Sequence, residues 1–232
     1  MKNIIKKGWF VLLLVLILAG CGGQGQEAVK EIPVAEPDET SMFGVDKNIN
    51  IKTIDEWLGR DDVAYIDVRM LEDPADYTAI GGDPVLSGTV KGFEVVPYPY
   101  LANLTGLPEA VAATQYTGPT LFTLTWDEQG KIASVVPNYR ESEMIINDLF
   151  PKDKPIFLMC GGGGYASFTK ALLIELGYNP DLLYNIGGFW EYQGDNVVHV
   201  KVSYGENNKY EYNAFHRLKY HLIDFDQLTK IN

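Results

Sequence analysis

Cys160 ends the apolar run Ile156, Phe157, Leu158, Met159 and is followed by Gly161, Gly162, Gly163 and Gly164, then by Tyr165, Ala166 and Ser167. A thiol attacks only as its thiolate, so its surroundings decide whether it is reactive. Glycine lets the backbone turn successive N–H groups to one side. The first turn of a helix adds more unpaired N–H groups and the positive end of its dipole. The spacing predicts an anion cradle over residues 161–166 with Cys160 at its rim, its pKa lowered into the range of about 3.5–7.5 typical of activated thiols. Four ordered glycines cost several times the roughly 0.5–1 kcal/mol of one, more than plain linkage requires. The other reading of the same residues is an inert cysteine that ends a core strand, with glycines that only let a helix pack closely. The glycines and the helix start together favour an anion-handling or persulfide-bearing site.

Such a loop needs a strand before it and a helix after it. Residues 165–176 place Phe168, Ala171, Leu172 and Leu176 on one helical face, with Gly177 as a stop. Short apolar runs at 63–68, 93–97, 155–159 and 182–186 read as buried strands, and 141–150 reads as a helix between them. The alternation predicts an α/β fold, a parallel sheet flanked by helices. Thr53 with Glu56 forms a capping-box pattern ahead of Trp57 and Leu58. Residues 120–136, broken by Asp127, Glu128, Gln129 and Gly130, read as an inserted β-hairpin. A second pair, 197–204 and 210–215, opens a C-terminal β/α extension. The aromatics Trp190, Tyr192, Tyr204, Tyr210, Tyr212 and Phe215 are expected to pack that extension.

The ends bound the function. Lys2, Lys6 and Lys7 precede an apolar run, residues 8–19, that closes on Leu18, Ala19, Gly20 and Cys21. This resembles a lipoprotein signal peptide, in which the cysteine becomes the lipidated N-terminus. The expected organisation is a signal peptide at 1–20, a flexible tether at 21–47, the domain at 48–196 and the extension at 197–232. The protein would then be lipid-anchored on the outer face of the cell membrane. With Cys21 acylated, Cys160 is the sole remaining thiol and no internal disulfide can form. A net charge of -12 repels phosphate backbones, so nucleic acid is not expected as a partner. His199, His216 and His221 show no metal-ligand spacing, and no Cys-x-x-Cys-His run occurs. Neither a metal nor another cofactor is expected.

Several landmarks in order make the chain similar to the rhodanese family. Tyr65 to Arg69 resembles its early strand ending in Asp-x-Arg, and Asp76 and Tyr77 stand where an acidic and aromatic pair follows. Ser87 to Val90 and Val96 with Pro97 stand in for its Gly-His-Ile-Pro-Gly segment. Gly187, Gly188 and Trp190 resemble the closing glycines and aromatic. The resemblance implies that Cys160 attacks sulfane sulfur and holds it as a persulfide, stabilised by the N–H groups of residues 161–165, with a hydroxyl from Tyr165 as a further donor. Asp67 and Arg69 are expected to tie loops together, and Ser167 to cap the helix or touch substrate. The implied partners are a small sulfur-containing anion or a thiol acceptor. Tyr165 occupies the position of the family's loop arginine, which leaves the loop without a cation. Ala166 stands where a cysteine phosphatase needs arginine, which excludes that chemistry. The alternative class is a non-catalytic rhodanese-like lipoprotein that binds a small anion or an exported protein.

Overall fold

The computed structural model describes residues 30–72, 85–107, 116–200, 202–204, 210–212 and 218–231. The expected signal peptide, Cys21, the pair Asp76 and Tyr77, His216, Phe215 and the turn at 205–208 lie outside the described residues. Along the chain follow β1 (Ala64–Asp67), β2 (Gly88–Val90), β3 (Glu94–Val95), α1 (Tyr98–Leu101), β4 (Phe122–Trp126), β5 (Ile132–Pro137) and α2 (Ser142–Leu149). After these come β6 (Ile156–Cys160), α3 (Gly164–Glu175), β7 (Leu183–Gly188), β8 (Val197–His199), β9 (Val202–Tyr204), β10 (Tyr210–Tyr212) and β11 (Lys219–Tyr220).

Five buried residues with no charged or amide side chain make β6 a strand that must be covered on both faces. The fold does this by placing it inside a parallel sheet ordered β11, β3, β1, β6, β7. Side chains alternate between the two faces. Ile156, Leu158 and Cys160 therefore share the core of α3 with Phe168, Leu172 and Leu173, whereas Phe157 packs edge-on against Tyr65 and Tyr184 on the opposite face. The chain is thus α/β with a five-stranded parallel sheet among the described residues. The hairpin of β4 and β5 forms as expected, but it belongs to the main core, since Leu121, Phe122 and Leu124 are buried there beside the face of α3.

Three expectations need correction. Residues 33–47 are not a tether: Pro33 opens the same compact unit that carries the sheet. The buried Asp46 carboxylate accepts backbone N–H groups of Glu36 at 2.6 Å, Asn48 at 2.9 Å and Ile49 at 2.8 Å. The N–H groups of Asp46 and Ile51 then donate to the carbonyls of Asn185 and Ile186 on β7, covering a strand edge that would otherwise stand open. The C-terminal extension does not simply lie on the domain. β11 becomes an edge strand of the central sheet, held by Lys219 and His221 on Glu94, and β8 pairs with β2 while β9 pairs with β10. Thr53 makes no side-chain capping bond to the helical turn Ile54–Trp57. Its hydroxyl donates to the Asn48 carbonyl instead.

Asp46→Ala removes the acceptor of three backbone donors at once. We expect it to lower the unfolding free energy by about 2–4 kcal/mol in a denaturant titration, whereas a free tether would show almost no change.

Candidate active site

The strand-to-helix turn predicted from the glycines is present. β6 ends on Cys160, residues 161–163 bend, and α3 starts at Gly164 with Gly163 as its N-cap, in the left-handed region at φ +94°. That conformation, rarely adopted by other residues, brings the Gly163 N–H to within 3.0 Å of Cys160 Sγ, to which it donates. The N–H groups of Ala166 and Tyr165 also favour the ionised sulfur. The backbone donors that act on the sulfur are those of Gly163, Tyr165 and Ala166.

The thiol is not at a rim. Cys160 is only 3% exposed, and burial pushes its pKa above the ordinary thiol value. The Asp67 carboxylate adds to that rise, and the N–H groups of Ala166, Gly163 and Tyr165 offset it only in part. The expectation of a lowered pKa is therefore overturned, because removal of water outweighs three backbone dipoles. A tight cover explains the burial. A Cβ on Gly161 would lie 2.4 Å from the Trp190 indole, and one on Gly188 would lie 1.9 Å from the Gly161 carbonyl oxygen. Trp190 thus packs on the loop, its backbone N–H donating to the Gly161 carbonyl at 3.1 Å. Of the loop residues 161–166, Gly162 alone is exposed. It opens into a cleft of about 370 Å³ whose walls include Met42, Phe43, Lys52, Gly188 and Glu191.

The remaining expected residues take separate places. Tyr165 supplies its backbone N–H, while its ring lies in the core stacked on Tyr98 with centroids 5.3 Å apart. The Ser167 N–H donates to the Gly163 carbonyl at 3.0 Å, and no side chain caps α3. Asp67 and Arg69 form a buried ion pair, Nη2 to Oδ2 at 2.5 Å. Arg69 also donates to the Gly88 carbonyl and lies 4.4 Å over the Phe189 ring, and Thr89 donates to Asp67. The pair thus links the end of β1 to β2 and to the Phe189 turn, and the Asp67 carboxylate in addition biases the thiol. Among the described residues, no group of three or more His, Cys, Asp or Glu is placed to hold a metal ion, and no helix is long and apolar enough to cross a membrane.

Sequence reasoning missed three residues. Asn185 joins the N-terminal segment to the loop, and Asp46 ties that segment to β7. The Tyr98 hydroxyl is fully buried beside Tyr165 with no hydrogen-bond partner among the described residues, and burial raises its pKa. A polar residue inside an otherwise apolar strand was the available signal for Asn185. No family model matches the chain, and no curated protein or solved structure does so either.

In a chain starting at Gly22, where Cys160 is the sole thiol, we expect native alkylation by iodoacetamide at pH 7.5 to run at least about tenfold slower than in urea. Its rate should rise with pH to a midpoint above about 8.5. A midpoint below neutrality would mean that the backbone donors outweigh burial.

Proposed function

We propose that the protein accepts and relays sulfane sulfur through a persulfide on Cys160, as the resemblance to rhodaneses implies. The observation that carries this reading is the convergence of the Gly163, Tyr165 and Ala166 N–H groups on a sulfur at the carboxyl end of a parallel strand. Fixed donors of this kind stabilise charge on a sulfur anion without a cation. In the first step the Cys160 thiol releases its proton to solvent and its thiolate attacks the outer sulfur of a polysulfide or thiosulfate. An Sγ–S bond forms, the donor S–S bond breaks, and its electron pair leaves on the shortened polysulfide or on sulfite. An acceptor thiolate then attacks the outer sulfur of the persulfide and Cys160 departs as thiolate. The signal-like N-terminus supports placing this site outside the cell membrane on a lipid carried by Cys21, near small sulfur anions and exported thiols. The proposed architecture is a rhodanese-like domain whose added hairpin and edge strand thicken its core.

One observation favours a second, non-catalytic reading. The thiol is buried and no residue from 161 to 166 carries a cation, as would suit a structural cysteine in a protein that binds an exported partner. Intact mass after incubation with polysulfide separates the two. The sulfur-relay reading predicts a gain of one sulfur, removed by cyanide or a thiol and absent in Cys160→Ser. An unmodified chain whose Cys160 still alkylates would leave the binding reading.

A further inference from the structure

Gly163, whose N–H donates to Cys160 Sγ, is held from outside the loop as well as from within α3. The Gly163 carbonyl accepts from the Ser167 N–H within α3 and from Asn185 Nδ2 at 3.1 Å. Asn185 is 1% exposed and stands opposite Leu158 in the pairing of β7 with β6, just before the register shift that sets Gly187 opposite Met159. Its Oδ1 accepts the Gly187 N–H at 3.0 Å. The other proton of its amide goes to the Phe43 carbonyl at 2.9 Å, and its backbone carbonyl accepts from Asp46. One side chain therefore joins the sheet, the loop and the segment 33–47. An apolar residue of that size would leave the Gly163 carbonyl tied only to its own helix.

We propose that Asn185 is the positioning residue of the site: it fixes the carbonyl of Gly163, and so keeps the Gly163 N–H on Cys160 Sγ and stabilises the sulfur anion. This rests on the persulfide reading for its purpose, but not for its geometry. Asn185 does not touch the sulfur, so the effect must pass through Gly163. The charged group that acts on Sγ in the opposite sense is Asp67, and it is unaltered by substitution at 185.

The test uses the chain from Gly22 with Asn185→Leu, which keeps the size, and Asn185→Ala, which avoids crowding, each checked for folding by circular dichroism. The alkylation midpoint of Cys160 is read against pH without any sulfur donor, and adduct formation with polysulfide is timed separately. Loss of an N–H held on the anion should raise the midpoint by about one pH unit and slow adduct formation at pH 7.5 by roughly five- to tenfold. A merely structural asparagine would lower the thermal midpoint and leave the pH profile in place. Unchanged profiles in a folded variant overturn the proposal. If the unsubstituted chain takes up no sulfur while the variants still shift the profile, the relay reading fails and the positioning role stands.

Discussion

The hydrogen bond from the Gly163 N–H to Cys160 Sγ is the contact on which the rest of the site depends. It exists because a five-residue strand buried on both faces delivers the sulfur to the start of a helix, and because a glycine at φ +94° turns the chain there. The same turn places Tyr165 and Ala166 so that their N–H groups face the sulfur, while the Tyr165 ring anchors the helix in the core against Tyr98. Chemistry and packing thus use the same residues, one through the backbone and the other through side chains. Substituting a side chain at Tyr165 would disturb the core more directly than it would remove a donor.

Opposing effects set the reactivity of the sulfur. Burial and the Asp67 carboxylate hold the proton on, and the backbone donors draw it off. Asp67 cannot simply be dispensed with, because it neutralises Arg69, which in turn binds the Gly88 carbonyl and covers Phe189. Removing one partner of a buried pair leaves an uncompensated charge, a loss of about 3–5 kcal/mol. The ion pair therefore fixes the loops around the site while making the thiol less acidic.

The elements whose order comes from hydrophobic patterning were legible in the sequence. The runs that became β1, β6 and β7, the helix α3 and the hairpin of β4 and β5 all carry apolar residues at a period that packing then uses. What escaped was order created by polar contacts at long range. Residues 33–47 have no period, yet one buried aspartate organises them against the edge of β7. Asn185 reads as an interruption in an apolar strand until Phe43 and Gly163 are beside it. The depth of Cys160 was missed for a related reason: the glycines permit a cradle open to solvent, and only the packing of Trp190 on Gly161 shows that the loop is covered. β11 is two residues long and takes its place in the sheet from Glu94, a contact 125 residues away in the chain.

Amide proton resonances of Gly163, Tyr165 and Ala166, followed by NMR as Cys160 is titrated, bear most directly on the claim that backbone donors stabilise the sulfur anion. The account predicts that all three move together with one midpoint, equal to that of thiol ionisation, and that none of them does so in Cys160→Ser. Resonances that stay in place while the thiol ionises would contradict it.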